Sequence, residues 1–179
     1  MSYNNYSYRI LCEDKRQYYF IQSYLKCKGI AERKIRLFQN LPEGAGDAKQ
    51  FVRTRYPDAQ KTIAINSSTI LVVARDADTD TYEDVLDEFA ITGNRIFTVI
   101  PKRNIETWFY FIDNQNDADA SDEGSNRKDC YPKNGTRPTK YGKELEKIIN
   151  ELRQNHSVSN MPVSLEKTIA ALMEREKQK

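Results

Sequence analysis

The chain has 179 residues, 39% of them hydrophobic, with 28 basic and 26 acidic side chains and a net charge of +2. That is enough for one domain with a sizeable core and a well-solvated surface, and it excludes a fibrous or disordered chain. So even a charge balance neither demands nor excludes nucleic acid, which would need a local basic patch.

Tyr8 to Cys12 reads as a short strand that ends at Glu13-Asp14. From Lys15 to Lys28, Tyr19, Phe20, Tyr24 and Leu25 recur at helical spacing, and Gly29 is the expected stop. Lys34 to Leu37 suggests a second strand. The stretch LPEGAGDAKQFVRTRYP predicts a glycine turn and then an amphipathic helix that Pro57 should end or follow closely. Thr69 to Ala74 is a third strand, apolar throughout and so expected to be buried on both faces. Thr81 to Ala90 places Tyr82, Val85, Leu86 and Phe89 on one helical face, and Arg95 to Ile100 is a fourth strand stopped by Pro101. NIETWFYFID predicts a helix with Asn104 as N-cap, its Trp108, Phe109 and Phe111 in the core rather than on a base-stacking surface.

Asn114 to Asn126 is polar and acidic and is expected to be mobile. Two more helices follow, Tyr141 to Leu152 and Ser164 to Arg175. Ser164 is the expected cap of the second, with Lys167 where a capping box would put Glu or Gln. Strands alternating with helices imply an α/β fold, a sheet of about four mostly parallel strands with right-handed crossovers. The expected layout is an α/β core over 1–113, a polar loop over 114–139 and a helical C-terminal extension over 140–179 packed on the core.

Cys12, Cys27 and Cys130 fit neither a disulfide framework nor a zinc site, and the first two are expected to be buried. His156 is the sole histidine, which disfavours a Ser-His-Asp hydrolase or a histidine-based zinc site. Gly44-Ala45-Gly46 is not followed by the Gly-Lys-Ser/Thr of a phosphate-binding loop. No apolar run approaches the roughly 20 residues of a membrane helix. MSYNNYSYR lacks the apolar core of a secretory signal, so a cytoplasmic location is expected.

The chemistry gathers at strand ends, where ligands bind in parallel α/β sheets. The first strand ends at Glu13-Asp14. The third runs into ARDADTD, with Asp76, Asp78 and Asp80 at alternate positions. The fourth runs into Lys102 and Arg103, with Glu106 one helical turn beyond. Adjacent strands would bring these acids to one edge of the sheet. Carboxylates that close need a neutralising partner, and hard oxygen ligands suit Mg²⁺ or Mn²⁺. Lys102 and Arg103 would then face a phosphate. The plainer reading makes Asp78 a helix cap and Asp80 a first-turn acid. Asp117-Ala118-Asp119 has the same spacing in a polar loop and carries no function. Arg127, Lys128, Lys133, Arg137, Lys140 and Lys143 form the one basic run, suited to a nucleic-acid backbone or simply to solvent.

LCED, ARDADTD and IPKRNIETWFYF, in this order, resemble the topoisomerase–primase (Toprim) domain. The likeness covers roughly residues 8–113. It is closer to the small stand-alone Toprim proteins of bacterial defence loci, such as RloB-like proteins and the nuclease part of overcoming-lysogenization-defect proteins. The resemblance implies a Toprim-like sheet and a nuclease dependent on Mg²⁺ or Mn²⁺ that cuts DNA or RNA in anti-phage defence, with an ATPase as its partner. It implies that Glu13 is a metal ligand or general acid/base, that Asp76 and Asp78 are the metal pair with Asp80 beside them, and that Lys102 and Glu106 are catalytic. Arg103, Arg127, Lys128 and Lys133 would bind the nucleic acid. Arg75 departs from the pattern, since an apolar residue is expected before the pair. A Toprim scaffold without activity stays open, and so does a receiver-like domain using Glu13-Asp14, Asp76 and Lys102.

Overall fold

The computed structural model describes residues 5–41, 48–89, 95–115, 117–131 and 137–177. Four strands form one all-parallel sheet in the order β2-β1-β3-β4: β1 (Ser7–Leu11), β2 (Ile35–Leu37), β3 (Thr69–Ala74) and β4 (Ile96–Val99). The third strand matches its expected bounds, and the others fall within one residue of theirs. Among the described residues six helices flank the sheet: α1 (Lys15–Cys27), α2 (Ala48–Ile65), α3 (Tyr82–Glu88), α4 (Ile105–Asp113), α5 (Pro138–Arg153) and α6 (Val163–Lys177).

Pleating sends alternate residues to opposite faces. Ile70, Val72 and Ala74 of β3 join one core with Phe20 of α1, Trp108 of α4, Leu145 of α5 and Leu165 of α6. Leu71 and Val73 join the other core with Val52 and Tyr56 of α2 and Val85 of α3. The result is a three-layer α/β/α domain. Trp108, Phe109 and Phe111 are fully buried, as their apolar periodicity implies. Each such side chain contributes on the order of 1.5–3 kcal/mol by leaving water.

Four local expectations fail, each for a physical reason. Pro57 does not end its helix; α2 continues to Ile65. Val52, Tyr56, Ala59 and Ile63 form one buried stripe on both sides of the proline, and that burial outweighs the lost backbone bond. Ser164 lies inside α6 rather than at its cap: its Oγ accepts from Trp108 Nε1 at 2.9 Å, and Glu123 caps the helix by accepting from Ser164 N–H at 2.8 Å. Asn104 occupies the N-cap position of α4, but its side chain donates to Asn126 Oδ1 at 3.1 Å instead of capping. Cys27 is exposed, because it is the last residue of α1 and the buried stripe of Phe20, Ile21, Tyr24 and Leu25 stops before it, whereas Cys12 is buried.

The C-terminal helices lie on the core. α5 packs on α1 through Gly142, where a Cβ would stand 2.3 Å from the Phe20 carbonyl. Between α4 and α5, residues Ala118–Ser121 and Lys128–Cys130 form single 3₁₀ turns, and Ala120 and Tyr131 are buried. Asp113 anchors this region by accepting from Tyr141 Oη at 2.6 Å and Tyr131 Oη at 3.1 Å. The glycine turn at 44–46 and Lys133 lie outside the described residues.

Candidate functional site

The chain passes from β1 to β2 on one side and then back across β1 to β3 on the other. In open parallel sheets such a reversal leaves a crevice beyond the carboxyl ends of the two strands. Leu11 stands opposite Val73 in the ladder, so the residues that follow β1 and β3 emerge together. The Asp76 backbone N–H donates to Glu13 Oε1 at 3.1 Å. The two acids singled out on separate strands are therefore neighbours.

The start of α1 holds them. Asp14 caps the helix by accepting from Gln17 N–H at 2.9 Å. The Gln17 amide, 1% exposed, then bridges the pair: its Oε1 accepts from Glu13 N–H at 3.0 Å and its Nε2 donates to Asp76 Oδ1 at 2.8 Å. Sequence reasoning missed Gln17, though Asp-x-x-Gln before an apolar run is a capping signal. Burial pushes the Glu13 carboxyl up to about 7; the Asp76 N–H and the Lys49 ammonium oppose that shift, while Asp14 and Asp78 add to it. Asp76 is raised well above the carboxylate range, first by burial and then by the charges of Glu13 and Asp14. Lys128 and Gln17 favour its ionised form. Two carboxylates side by side, Asp76 buried and Glu13 half-buried, call for a proton or a cation between them.

Asp78 does not cap α3. Thr81 and Asp84 form that cap as a reciprocal box, while Asp78 has a left-handed backbone (φ 52°) and pairs with Lys49 Nζ at 2.6 Å. Asp80 turns elsewhere. Its carboxylate lies 2.6 Å from Arg75 Nη2 and 3.8 Å from Arg53, and its carbonyl accepts from the Lys102 ammonium. Arg75, 1% exposed, also binds Glu88 at 2.7 Å, and Arg53 forks onto both Glu88 oxygens at 2.8 Å. Arg75 therefore fixes the acidic loop from behind, which accounts for an arginine at the end of an apolar strand.

Glu106 is buried and ion-paired with Arg16, whose Nη2 donates to the Tyr131 carbonyl at 2.6 Å. Arg103 is half-buried beyond β4, and Arg127 lies 4.0 Å over the Tyr110 ring. Lys128 is exposed, and its charge is felt at Asp76. The mouth of the sheet thus gathers Glu13, Asp76, Asp78, Lys49 and Lys128. Lys102 and Asp80 bind each other beside it, and Glu106 is committed to Arg16.

The donor set fits a hard divalent cation: the carboxylate oxygens of buried Asp76 and half-buried Glu13, both raised in pKa. Among the described residues no three acidic, histidine or cysteine side chains converge as they stand, and Asp78 is paired with Lys49. No family model, curated protein or solved structure matches the chain.

Proposed function

We propose that the protein is a divalent-metal-dependent nuclease that hydrolyses phosphodiester bonds of DNA or RNA. The observation that carries this reading is the Glu13–Asp76 contact at the sheet's reversal point, where two raised carboxylates share one edge. Mg²⁺ or Mn²⁺ bound there would neutralise the pair and polarise a water for attack at phosphorus. Glu13 and Asp76 are its ligands, with Asp78 as a third once it leaves Lys49. Gln17 orients Asp76 through its amide, and Arg75 holds the loop that carries the acids. Lys128 is the cation best placed to meet a phosphate, with Arg103 at the β4 end and Arg127 further out. Lys102 and Glu106 act on the mouth's shape through Asp80 and Arg16.

The Toprim resemblance supports placing this activity in bacterial anti-phage defence, in the cytoplasm, alongside an ATPase partner. A non-catalytic scaffold is the second reading. It is favoured by the cations already paired with the acidic loop, Lys49 on Asp78 and Arg75 on Asp80. A receiver-like role is disfavoured, since Lys102 binds the Asp80 carbonyl rather than facing Asp76.

The test is cleavage of labelled plasmid, single-stranded DNA and total tRNA in Mg²⁺, Mn²⁺ or EDTA, with Glu13→Ala and Asp76→Ala alongside. Metal-dependent cutting lost in both variants is expected. A folded protein that cuts nothing in either metal would favour the scaffold.

A further inference from the structure

Two acids of the loop hold cations at nearly the same distance, yet the two pairs differ in kind. Asp80 lies 2.6 Å from Arg75, whose side chain is 1% exposed and also grips Glu88. Breaking that pair would leave a buried guanidinium with only one of its two carboxylates, so Asp80 stays where it is. Asp78 lies 2.6 Å from Lys49, and both side chains reach solvent, 37% and 25% exposed. An ion pair this open is weak and exchanges readily. Lys49 also influences Glu13, so it stands beside the carboxylate pair and not on a remote surface. It occupies the first turn of α2, an 18-residue helix whose N-terminal field favours anions.

We propose that Lys49 is a displaceable counter-ion of this site. Its ammonium occupies Asp78 until a divalent cation takes the carboxylate, and the freed ammonium then binds a phosphate oxygen of the substrate. The inference rests on the metal-dependent reading above and adds a substrate-binding residue to it. It also selects Asp78, and not Asp80, as the acid that joins Glu13 and Asp76.

The test is a Mn²⁺ binding isotherm on the full chain, without substrate, for the wild type, Lys49→Met, Lys49→Arg and Asp78→Asn. Lys49→Met is expected to bind Mn²⁺ about three- to tenfold more tightly, since it removes a weak competing pair. Lys49→Arg should stay near the wild type. Asp78→Asn should bind more weakly, and adding Lys49→Met to it should bring no gain. In Mn²⁺, a non-cleavable phosphorothioate oligonucleotide should bind Lys49→Met less tightly than the wild type. Wild-type Mn²⁺ binding with unchanged Mn²⁺ and oligonucleotide affinities in Lys49→Met would overturn the role of Lys49 alone. No Mn²⁺ binding by the folded wild type would overturn the metal site and this inference together.

Discussion

Asp76 donates its backbone N–H to Glu13 Oε1 at 3.1 Å, which ties the end of β3 to the end of β1. The bond uses one lone pair of Glu13 and leaves the rest of that carboxylate and both oxygens of Asp76 to share a mostly buried space. Glu13→Gln and Asp76→Asn preserve shape while removing charge. Each is expected to keep the fold by circular dichroism and to weaken Mn²⁺ binding at least about tenfold, as loss of a hard oxygen ligand should.

The pH dependence of stability follows from the raised Glu13 carboxyl. Its value moves from an ordinary 4.5 to about 7 on folding. Between those limits the folded chain holds a proton that the unfolded chain has released. Stability from this group is therefore full below pH 4.5 and is lost as pH rises through 7. Asp76, raised as well, acts in the same direction. Thermal melts in EDTA should show a falling Tm from pH 5.5 to 8, with a shallower fall in Glu13→Gln. Added Mn²⁺ should raise Tm more at pH 8 than at pH 5.5, because the cation replaces the proton.

Gln17 bridges both acids from inside α1. Gln17→Leu removes the donor to Asp76 Oδ1 and the acceptor for Glu13 N–H without opening a cavity. Metal affinity is expected to drop about tenfold to a hundredfold, as when other groups that orient metal ligands are lost. A binding isotherm with a parallel urea melt separates this loss from any change in stability.

Arg75 and Lys49 hold acids of the same loop, but removing them should have very different costs. Arg75→Met removes the buried guanidinium that Asp80 and Glu88 share, leaves both acids to Arg53 and solvent, and should destabilise by about 1.5–3 kcal/mol in urea unfolding. Lys49→Met breaks an open pair and should change stability by less than about 1 kcal/mol.

The fold was legible because its signals are strong and local. β3 is apolar at every position, and the alternation of strands and helices dictates a parallel sheet. Glu13 and Asp76 were legible as strand-end acids, and adjacency of β1 and β3 makes them a pair. Pro57 misled because a tertiary stripe overrode a local rule, and Ser164 because its partner, Trp108, is distant in sequence. Lys49 carried no local mark at all. Arg75 did carry one: an arginine directly after a buried strand needs acidic partners, and Asp80 and Glu88 follow it in the chain.

The proposed activity requires Glu13 and Asp76 to hold a divalent cation. Crystals soaked in Mn²⁺ and measured near the manganese absorption edge test it most directly. An anomalous peak is expected within coordinating distance of both carboxylates, with Asp78 swung away from Lys49 toward it. A well-ordered site with no peak, or a peak that touches neither Glu13 nor Asp76, would contradict it.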